Sequence, residues 1–285
     1  MKDDTILIIG VKGQLGLALQ QQYPNAKSVN VDELDITNAE SVANYDWSSI
    51  KIVFNAAAFT NVDGAETIGG RVAAWKVNAI AVGYLAKAAL KNDLTFVHIS
   101  TDYVFDGTNT THDEDEPFSP LSVYGQSKAA GDIAVSLLPN HYILRTSWVI
   151  GEGKNFVRTM LDLGRRGVSP TVVSDQMGRP TFTSELVRAI DHLLSLKAPS
   201  GTYDVSNDGE IMSWADITRV IFKESGLDLT VTDTTTAEYY KGKDGIAPRP
   251  LNSALNLTKI KDTGFVVRNW TDDLKLYIQR ENTKS

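Results

Sequence analysis

Tyr124 and Lys128 stand four residues apart in the string YGQSK. Positions i and i+4 share one face of a helix, so a helix starting near residue 122 would bring phenol and amine together. An ammonium beside a phenol favours the phenolate and lowers its pKa from about 10. Such a phenol can exchange a proton near neutral pH. Tyr-x-x-x-Lys alone also describes an ordinary surface pair, and two further features change its meaning. Ser100-Thr101-Asp102 closes the apolar run 94–99 (LTFVHI), and Gly10, Gly13 and Gly16 form G-x-x-G-x-x-G behind the run 5–9 (TILII). In an open parallel sheet the carboxyl ends of strands line the ligand crevice. Thr101, Tyr124 and Lys128 are therefore expected to converge there as a catalytic set.

The glycine turn has its own chemistry. A tight turn and a close backbone approach require residues without Cβ, and the following helix offers free N–H groups and partial positive charge to a pyrophosphate. A glycine-rich turn without a ligand is the plainer alternative; the position between a buried strand and a helix favours a dinucleotide. The spacing differs from the G-x-G-x-x-G of many dehydrogenases, and no Gly-Lys-Ser/Thr follows to make a Walker loop. Asp32 lies 22 residues after Gly10, where an acid can accept hydrogen bonds from an adenosine ribose. Asp35 follows, with Ile36 as a candidate adenine wall; Asp35 or Thr37 could equally cap the next helix. No Arg or Lys ends the second strand to meet a 2′-phosphate, although Lys12, inside the glycine turn, is placed to reach one. Charge alone leans slightly to NADH over NADPH.

These groups need a scaffold. Short apolar runs at 5–9, 27–31, 51–54, 94–99 and 141–145 alternate with helical patterns at 13–22, 66–91 and 122–138. In the longest pattern Val72, Trp75, Ala79, Val82 and Ala86 step by three or four. The alternation predicts an α/β fold, a Rossmann-type doubly wound parallel sheet with helices on both faces. After about residue 150 helices are expected at 155–166, 183–196, 213–225 and 271–280, strands at 170–173 and 202–206, and mainly loops over 226–257. Residues 1–150 read as the NAD(P)-binding domain, taking in segments from about 170–206. Residues 151–285 read as mainly a smaller C-terminal substrate-binding lobe interleaved with it. The stretch 106–123 is the longest without structure, and its run Asp113 to Glu116 reads as solvated acid. Loops of this length are often functional or mobile, and this one is a candidate to order over substrate.

The 285 residues carry 28 Lys and Arg against 35 Asp and Glu, a net charge of −7, and no Cys. Zero Cys excludes disulfide scaffolds, thiol nucleophiles and Cys-ligated metal. An acidic balance without a basic block argues against a nucleic-acid partner. No apolar run approaches the roughly 18 residues of a membrane span, and Met1-Lys2-Asp3-Asp4 does not begin a signal peptide. A cytoplasmic protein without membrane partners is expected. His98, His112, His141 and His192 lack ligand spacing and read as structural or exposed.

Taken together, Gly10-x-x-Gly13-x-x-Gly16, Asn55-Ala56-Ala57-Ala58, Ser100-Thr101-Asp102 and Tyr124-x-x-x-Lys128 resemble the extended short-chain dehydrogenase/reductase superfamily. The strings GQLG (13–16), NAAAFTNVDGAE (55–66), STDYVFDG (100–107), RTSWVIGEGKNFV (145–157), DQMGRPT (175–181) and RPLNSALN (249–256) resemble dTDP-4-dehydrorhamnose reductases, over about residues 5 to 280. The resemblance implies NADPH- or NADH-dependent reduction of the C4 ketone of dTDP-4-dehydro-L-rhamnose, the last step of dTDP-L-rhamnose synthesis. It implies Tyr124 as proton donor, Lys128 at the nicotinamide ribose and Thr101 at the sugar oxygen. It places Gln14, Leu15, Ala57, Ala58 and Phe59 along the cofactor. Asp102, Val104, Phe105, Trp148, Asn155, Arg179 and Arg249 fall toward the nucleotide sugar. An arginine suits a diphosphate by charge and bidentate geometry; Trp148 could instead be a core residue, and Arg249, between two prolines, a rigid surface turn. Related reductases use an asparagine at the position of Asn78 to bend the long helix, with a solvent-facing residue as the alternative.

One departure concerns metal. Some such reductases are dimers with interfacial magnesium, held by acids that include one in the first helix, where this chain has Ala18. Glu185 matches a second acid, but one carboxylate is a poor magnesium site. No metal is expected, and a monomer or weak homodimer. Two other readings share the motifs. A dTDP-glucose dehydratase or an epimerase uses the same pair, but the dehydratases carry Asp-Glu after the threonine, and here Tyr103 follows Asp102. A non-catalytic dinucleotide-binding subunit, like the regulatory beta subunit of methionine adenosyltransferase, shares most of the motifs; the intact Thr101, Tyr124 and Lys128 favour an enzyme.

Overall fold

The computed structural model describes residues 3–283. Apolar runs buried on both faces become strands β1 (Ile6–Ile9), β3 (Ile52–Asn55), β4 (Thr95–Thr101) and β5 (His141–Thr146), while the edge strand β2 (Lys27–Val29) buries only Val29. The short pieces β6 (Val149–Ile150), β7 (Thr171–Val173), β8 (Met177–Gly178) and β9 (Thr181–Phe182) follow. β10 (Gly201–Asp204) returns to the main sheet, and β11 (Met212–Ser213) and β12 (Thr232–Thr234) pair with β8 and β7. The main sheet runs β2-β1-β3-β4-β5-β10, parallel at every pairing. The chain winds outward from β1 in both directions, the doubly wound Rossmann arrangement, with the switch point beyond the C-terminal end of β1.

Alternation in β1 feeds two cores. Ile6 and Ile8 face one with Leu19, Leu186 and Ile190, beneath α1 (Gln14–Gln22). Leu7 and Ile9 face the other with Val42, Val82 and Leu85, beneath α2 (Ala39–Asn44). The long helical region is α3 (Ile68–Trp75) and α4 (Ala81–Lys91), joined by a π turn over Lys76–Ile80. α5 (Val123–Ser136) carries the YGQSK string. α6 (Phe156–Arg165), α7 (Thr183–Leu196), α8 (Trp214–Glu224), α9 (Thr236–Tyr240), α10 (Thr258–Asp262) and α11 (Trp270–Thr283) complete the order. A separate core of Met160, Phe222, Trp270 and Leu274 fills the smaller lobe. Among the described residues no helix is long and apolar enough to cross a membrane.

Three expectations change here. The helix α2 has no strong apolar stripe to announce it; the Asn38 side chain caps it, accepting from Glu40 N and Ser41 N. The even stripe read over 66–91 breaks at the π turn. Val72 and Trp75 are exposed, while Val82, Leu85 and Ala86 are buried. One extra residue in a turn rotates the downstream face by about 100°, so one stripe cannot serve both halves. The acidic run is not simply solvated either. Glu114 Oε1 accepts from Asp204 N at 3.0 Å, Glu116 pairs with His112 at 2.9 Å, and His112 bridges to Leu255.

Candidate active site

The glycines divide into two kinds. Gly10 is left-handed (φ 86°), and a Cβ there would fall 2.5 Å from Ala57 N; a Cβ on Gly16 would fall 2.1 Å from Gly10 O. The fold itself requires both. Gly13 sits at φ −78°, open to any residue, and the nearest atom to its Cβ position is 3.4 Å away. It caps α1 without a side-chain hydrogen bond, and the first-turn amides of a helix have no partner within it. An open cradle over bare helical amides fits a pyrophosphate. Gly13→Ala is therefore expected to keep its stability within about 1 kcal/mol while dinucleotide binding weakens by at least about 1.4 kcal/mol, tenfold. Thermal melts and fluorescence titration measure the two; unchanged binding would show that no ligand approaches Gly13.

Around this turn, Lys12 and Asp32 are exposed, and Gln14 Oε1 accepts from Gly151 N at 2.8 Å. Leu15 is a core residue. Asp35 accepts from Thr37 N at 2.9 Å and Thr37 Oγ1 at 2.6 Å, bonds that hold its carboxyl below the usual range. Neither caps α2, which Asn38 does. Ile36 is 8 % exposed and packs in the core with Leu34 and Val42, so little of it is open as an adenine wall. Ala57, Ala58 and Phe59 follow β3 half-buried.

Thr101 ends β4, with its hydroxyl beside the Tyr124 phenol. Thr101 Oγ1 donates to Asp102 Oδ1 at 3.0 Å, and the Tyr103 ring meets Tyr124 edge-on at 5.5 Å. Tyr124 lies in the first turn of α5, which Ser122 caps, and Lys128 one turn on. The lysine does not lower the phenol as expected. Enclosure, then the charge of Asp102, push Tyr124 upward, as does Asp132, with only the neighbouring Thr101 hydroxyl opposing. The reason is direction: the Lys128 ammonium donates to Ile99 O at 2.5 Å and lies 3.3 Å from His98 Nε2.

Burial pushes Asp102 up to about 6, against the nearby Ser253 hydroxyl and the hydrogen bond from Thr101. Its unfolded value is near 3.9, so the folded state binds the proton more tightly. Stability from this group is lost as pH rises from about 4 through about 6. Asp102→Asn should accordingly stabilise the protein by about 1–3 kcal/mol at pH 7.5 and hardly at pH 4. Urea melts at both pH values test this, and equal gains at both would refute it.

Asn78 does not face solvent. It is 1 % exposed within the π turn; Oδ1 accepts from Phe59 N at 2.8 Å, and Nδ2 donates to Phe59 O at 3.1 Å and Ser127 Oγ at 3.0 Å. It fastens the segment after β3 to the helix carrying Tyr124.

The residues expected at the sugar divide. Val104 and Phe105 are fully buried in a small core with Leu255, which leaves their side chains no ligand surface. Asn155 is spent as a cap: it accepts from Arg158 N and donates to Gly151 O, Gly153 O and Tyr277 Oη. Trp148, left-handed at φ 49°, stacks on Trp214 at 3.8 Å and stays half-buried. Arg179 is 8 % exposed and donates to Asp208 and Leu255 O. Arg249 is no surface turn; it donates to Asp63 at 2.9 Å, reaching the segment after β3. Glu185 is fully buried, held by Arg188 and by Arg268 N. Sequence reasoning missed the groups behind Lys128: His98, Asn55, Asp132 and Arg145, all buried. Only Asp132 left a signal, four residues after Lys128 on the same helical face.

The sheet order, the glycine turn at its switch point and the Tyr–Lys pair beside Thr101 define an extended short-chain dehydrogenase/reductase. Similarity over the whole chain is narrower. Residues 4–283 match the family described as RmlD substrate binding domain. The dTDP-4-dehydrorhamnose reductase of Aggregatibacter actinomycetemcomitans is 36% identical over 95% of this chain and 97% of that protein. The spore coat polysaccharide biosynthesis protein SpsK of Bacillus subtilis is 38% identical over 98% of both. The dTDP-4-dehydrorhamnose reductase of Bacillus anthracis, solved in complex with NADP, is 33% identical, with a TM-score of 0.88 over 96% of this chain and 98% of that one. The chain belongs to this reductase family.

Proposed function

We propose that the protein reduces the C4 ketone of dTDP-4-dehydro-L-rhamnose to dTDP-L-rhamnose with NADPH or NADH. The observation that carries this is the placement of Thr101, at the C-terminal end of β4, beside Tyr124 in the first turn of α5, with Lys128 one turn behind. When bound, the cofactor supplies the hydride that reaches C4. Tyr124 gives its phenolic proton to the C4 oxygen, completing the alcohol. Thr101 orients that oxygen by turning to it the hydroxyl proton that Asp102 Oδ1 accepts in the resting protein. Lys128 binds the nicotinamide ribose and offsets charge on the phenolate left behind. The first-turn amides of α1 hold the pyrophosphate, and Lys12 and Asp32 decide between the two dinucleotides. Arg179, Arg249 and Trp148 line the sugar-nucleotide side, between the Rossmann sheet and the smaller lobe. No metal takes part: Ala18 offers no oxygen, and the Glu185 carboxylate is already engaged. The protein works in the cytoplasm as a monomer or weak homodimer.

The relatives named as reductases and the intact catalytic set support an enzyme over a purely regulatory subunit. The test is an assay with freshly generated keto-sugar nucleotide, run separately with NADH and NADPH. Cofactor oxidation is expected with stoichiometric formation of dTDP-L-rhamnose. No oxidation with either cofactor would refute the reading.

A further inference from the structure

Lys128 is held from behind by groups that neither hydride nor proton transfer uses. It is 2 % exposed, and its ammonium has two acceptors within reach, Ile99 O at 2.5 Å and His98 Nε2 at 3.3 Å. A buried donor left unpaired is costly, so Nε2 must present its lone pair to the amine. The imidazole proton then sits on Nδ1, 3.1 Å from the Asn55 amide. Turning the Asn55 amide over, so that its oxygen, otherwise buried without a partner, replaces Nδ2 toward the ring, supplies the acceptor for that proton. Burial and the neighbouring amine hold His98 well below its ordinary value, so it remains neutral.

Asp132 lies one further turn along α5, 1 % exposed and 3.8 Å from His98 Nε2. Burial pushes it upward, but Arg145 and Lys128 oppose that, and Arg145 Nε donates to Asp132 Oδ2 at 3.2 Å. The titratable and charged groups around the amine are Tyr124 and Asp132 from α5, His98 from β4, Asp102 from the turn that follows it, and Arg145 from β5. Asp132 alone among them pulls the lysine toward its charged form, against the burial that drags it down to about 8.

We propose that His98 and Asp132 are positioning residues for this reductase: His98 aims the Lys128 ammonium by accepting its hydrogen bond, and Asp132, one turn along the same face of α5 and 3.8 Å from His98 Nε2, is the carboxylate that backs the pair. The proposal rests on the reductase reading for its consequence in turnover, but its test does not need turnover. In lysine-13C-labelled protein without cofactor, the Lys128 resonance, assigned by its absence in Lys128→Arg, is expected to titrate near pH 8. Asp132→Asn keeps an oxygen for Arg145 and should move that titration down by about one unit. His98→Leu should do likewise, and His98→Gln, which retains an acceptor, should return toward the wild type. The alkaline limb of kcat/KM should move by the same amount. An unchanged Lys128 titration in Asp132→Asn and His98→Leu would overturn the proposal. Nitrogen-15 NMR of the wild type adds a test free of folding defects: Nδ1–H is expected for His98, and Nε2–H would overturn its role. Wild-type protein without turnover would refute the reductase reading alone, leaving the NMR results to judge the lysine.

Discussion

Replacing Tyr124 by Phe is expected to lower turnover of the keto-sugar by about 10²–10⁴-fold, with the cofactor Kd changed by less than about twofold. The change deletes one oxygen from a ring that keeps its edge-on contact with Tyr103. Reduction starts with the phenol protonated, and enclosure together with Asp102 and Asp132 ensures that state by pushing Tyr124 upward. The ketone therefore meets a loaded donor at any physiological pH, and no alkaline limb from Tyr124 should appear in the kcat profile across that range. In the Phe variant the alkoxide formed at C4 has only Thr101 and water to neutralise it. Steady-state kinetics and cofactor titration measure the two effects; wild-type turnover in the variant would sink the mechanism. The same loaded phenol explains why the expected lysine effect is missing from the resting protein. An ammonium aimed at Ile99 O and His98 is not spent on stabilising a phenolate that does not yet exist. It becomes useful once Tyr124 has lost its proton.

Much of this architecture is readable in the chain because it rests on local chemistry. β1, β3, β4 and β5 are apolar runs buried at nearly every position, and a parallel sheet needs such runs. Tyr124 and Lys128 share a helical face by spacing alone. What stays hidden depends on long-range packing. His98 sits among the apolar residues of β4, where a strand pattern reads it as filler; only the pairing Asn55↔His98 and the docking of α5 make it a partner of Lys128. Asn78 looks like a helix defect until the Phe59 backbone arrives to occupy its amide. Arg145 reads as the end of a strand, and nothing local announces that Asp132, Asp204 and the Glu114 carbonyl gather around it. Val104 and Phe105 lie beside Thr101 in sequence, yet the short helical turn at Asp102–Val104 sends them into the core.

Arg145→Met is expected to destabilise the protein by about 3–5 kcal/mol, the usual cost of removing one partner from a buried charge cluster. Arg145 is 4 % exposed, lies between the rings of Phe105 and Phe118 at 5.2 and 5.0 Å, and donates to Glu114 O at 2.8 Å. It therefore clasps the loop 106–122 to the sheet. It also faces Asp132 at 3.2 Å and stands in register with Asp204 on β10. Both Asp204 oxygens are buried without a hydrogen bond, and burial pushes that carboxyl well above its ordinary value, with Arg145 the first attraction opposing. Without the guanidinium, Asp132 and Asp204 titrate higher still in the folded state than in the unfolded chain. A carboxyl raised on folding costs stability as pH climbs past its unfolded value, so the damage should be greater at pH 8 than at pH 5. Adding Asp204→Asn should recover part of it at pH 8 and little at pH 5. Arg145→Lys should fall between, since an ammonium keeps the charge but cannot fill the flat space between two rings. Urea melts of the four proteins at both pH values decide the matter. A loss in Arg145→Met that is independent of pH and untouched by Asp204→Asn would mean that the residue holds the loop by packing alone.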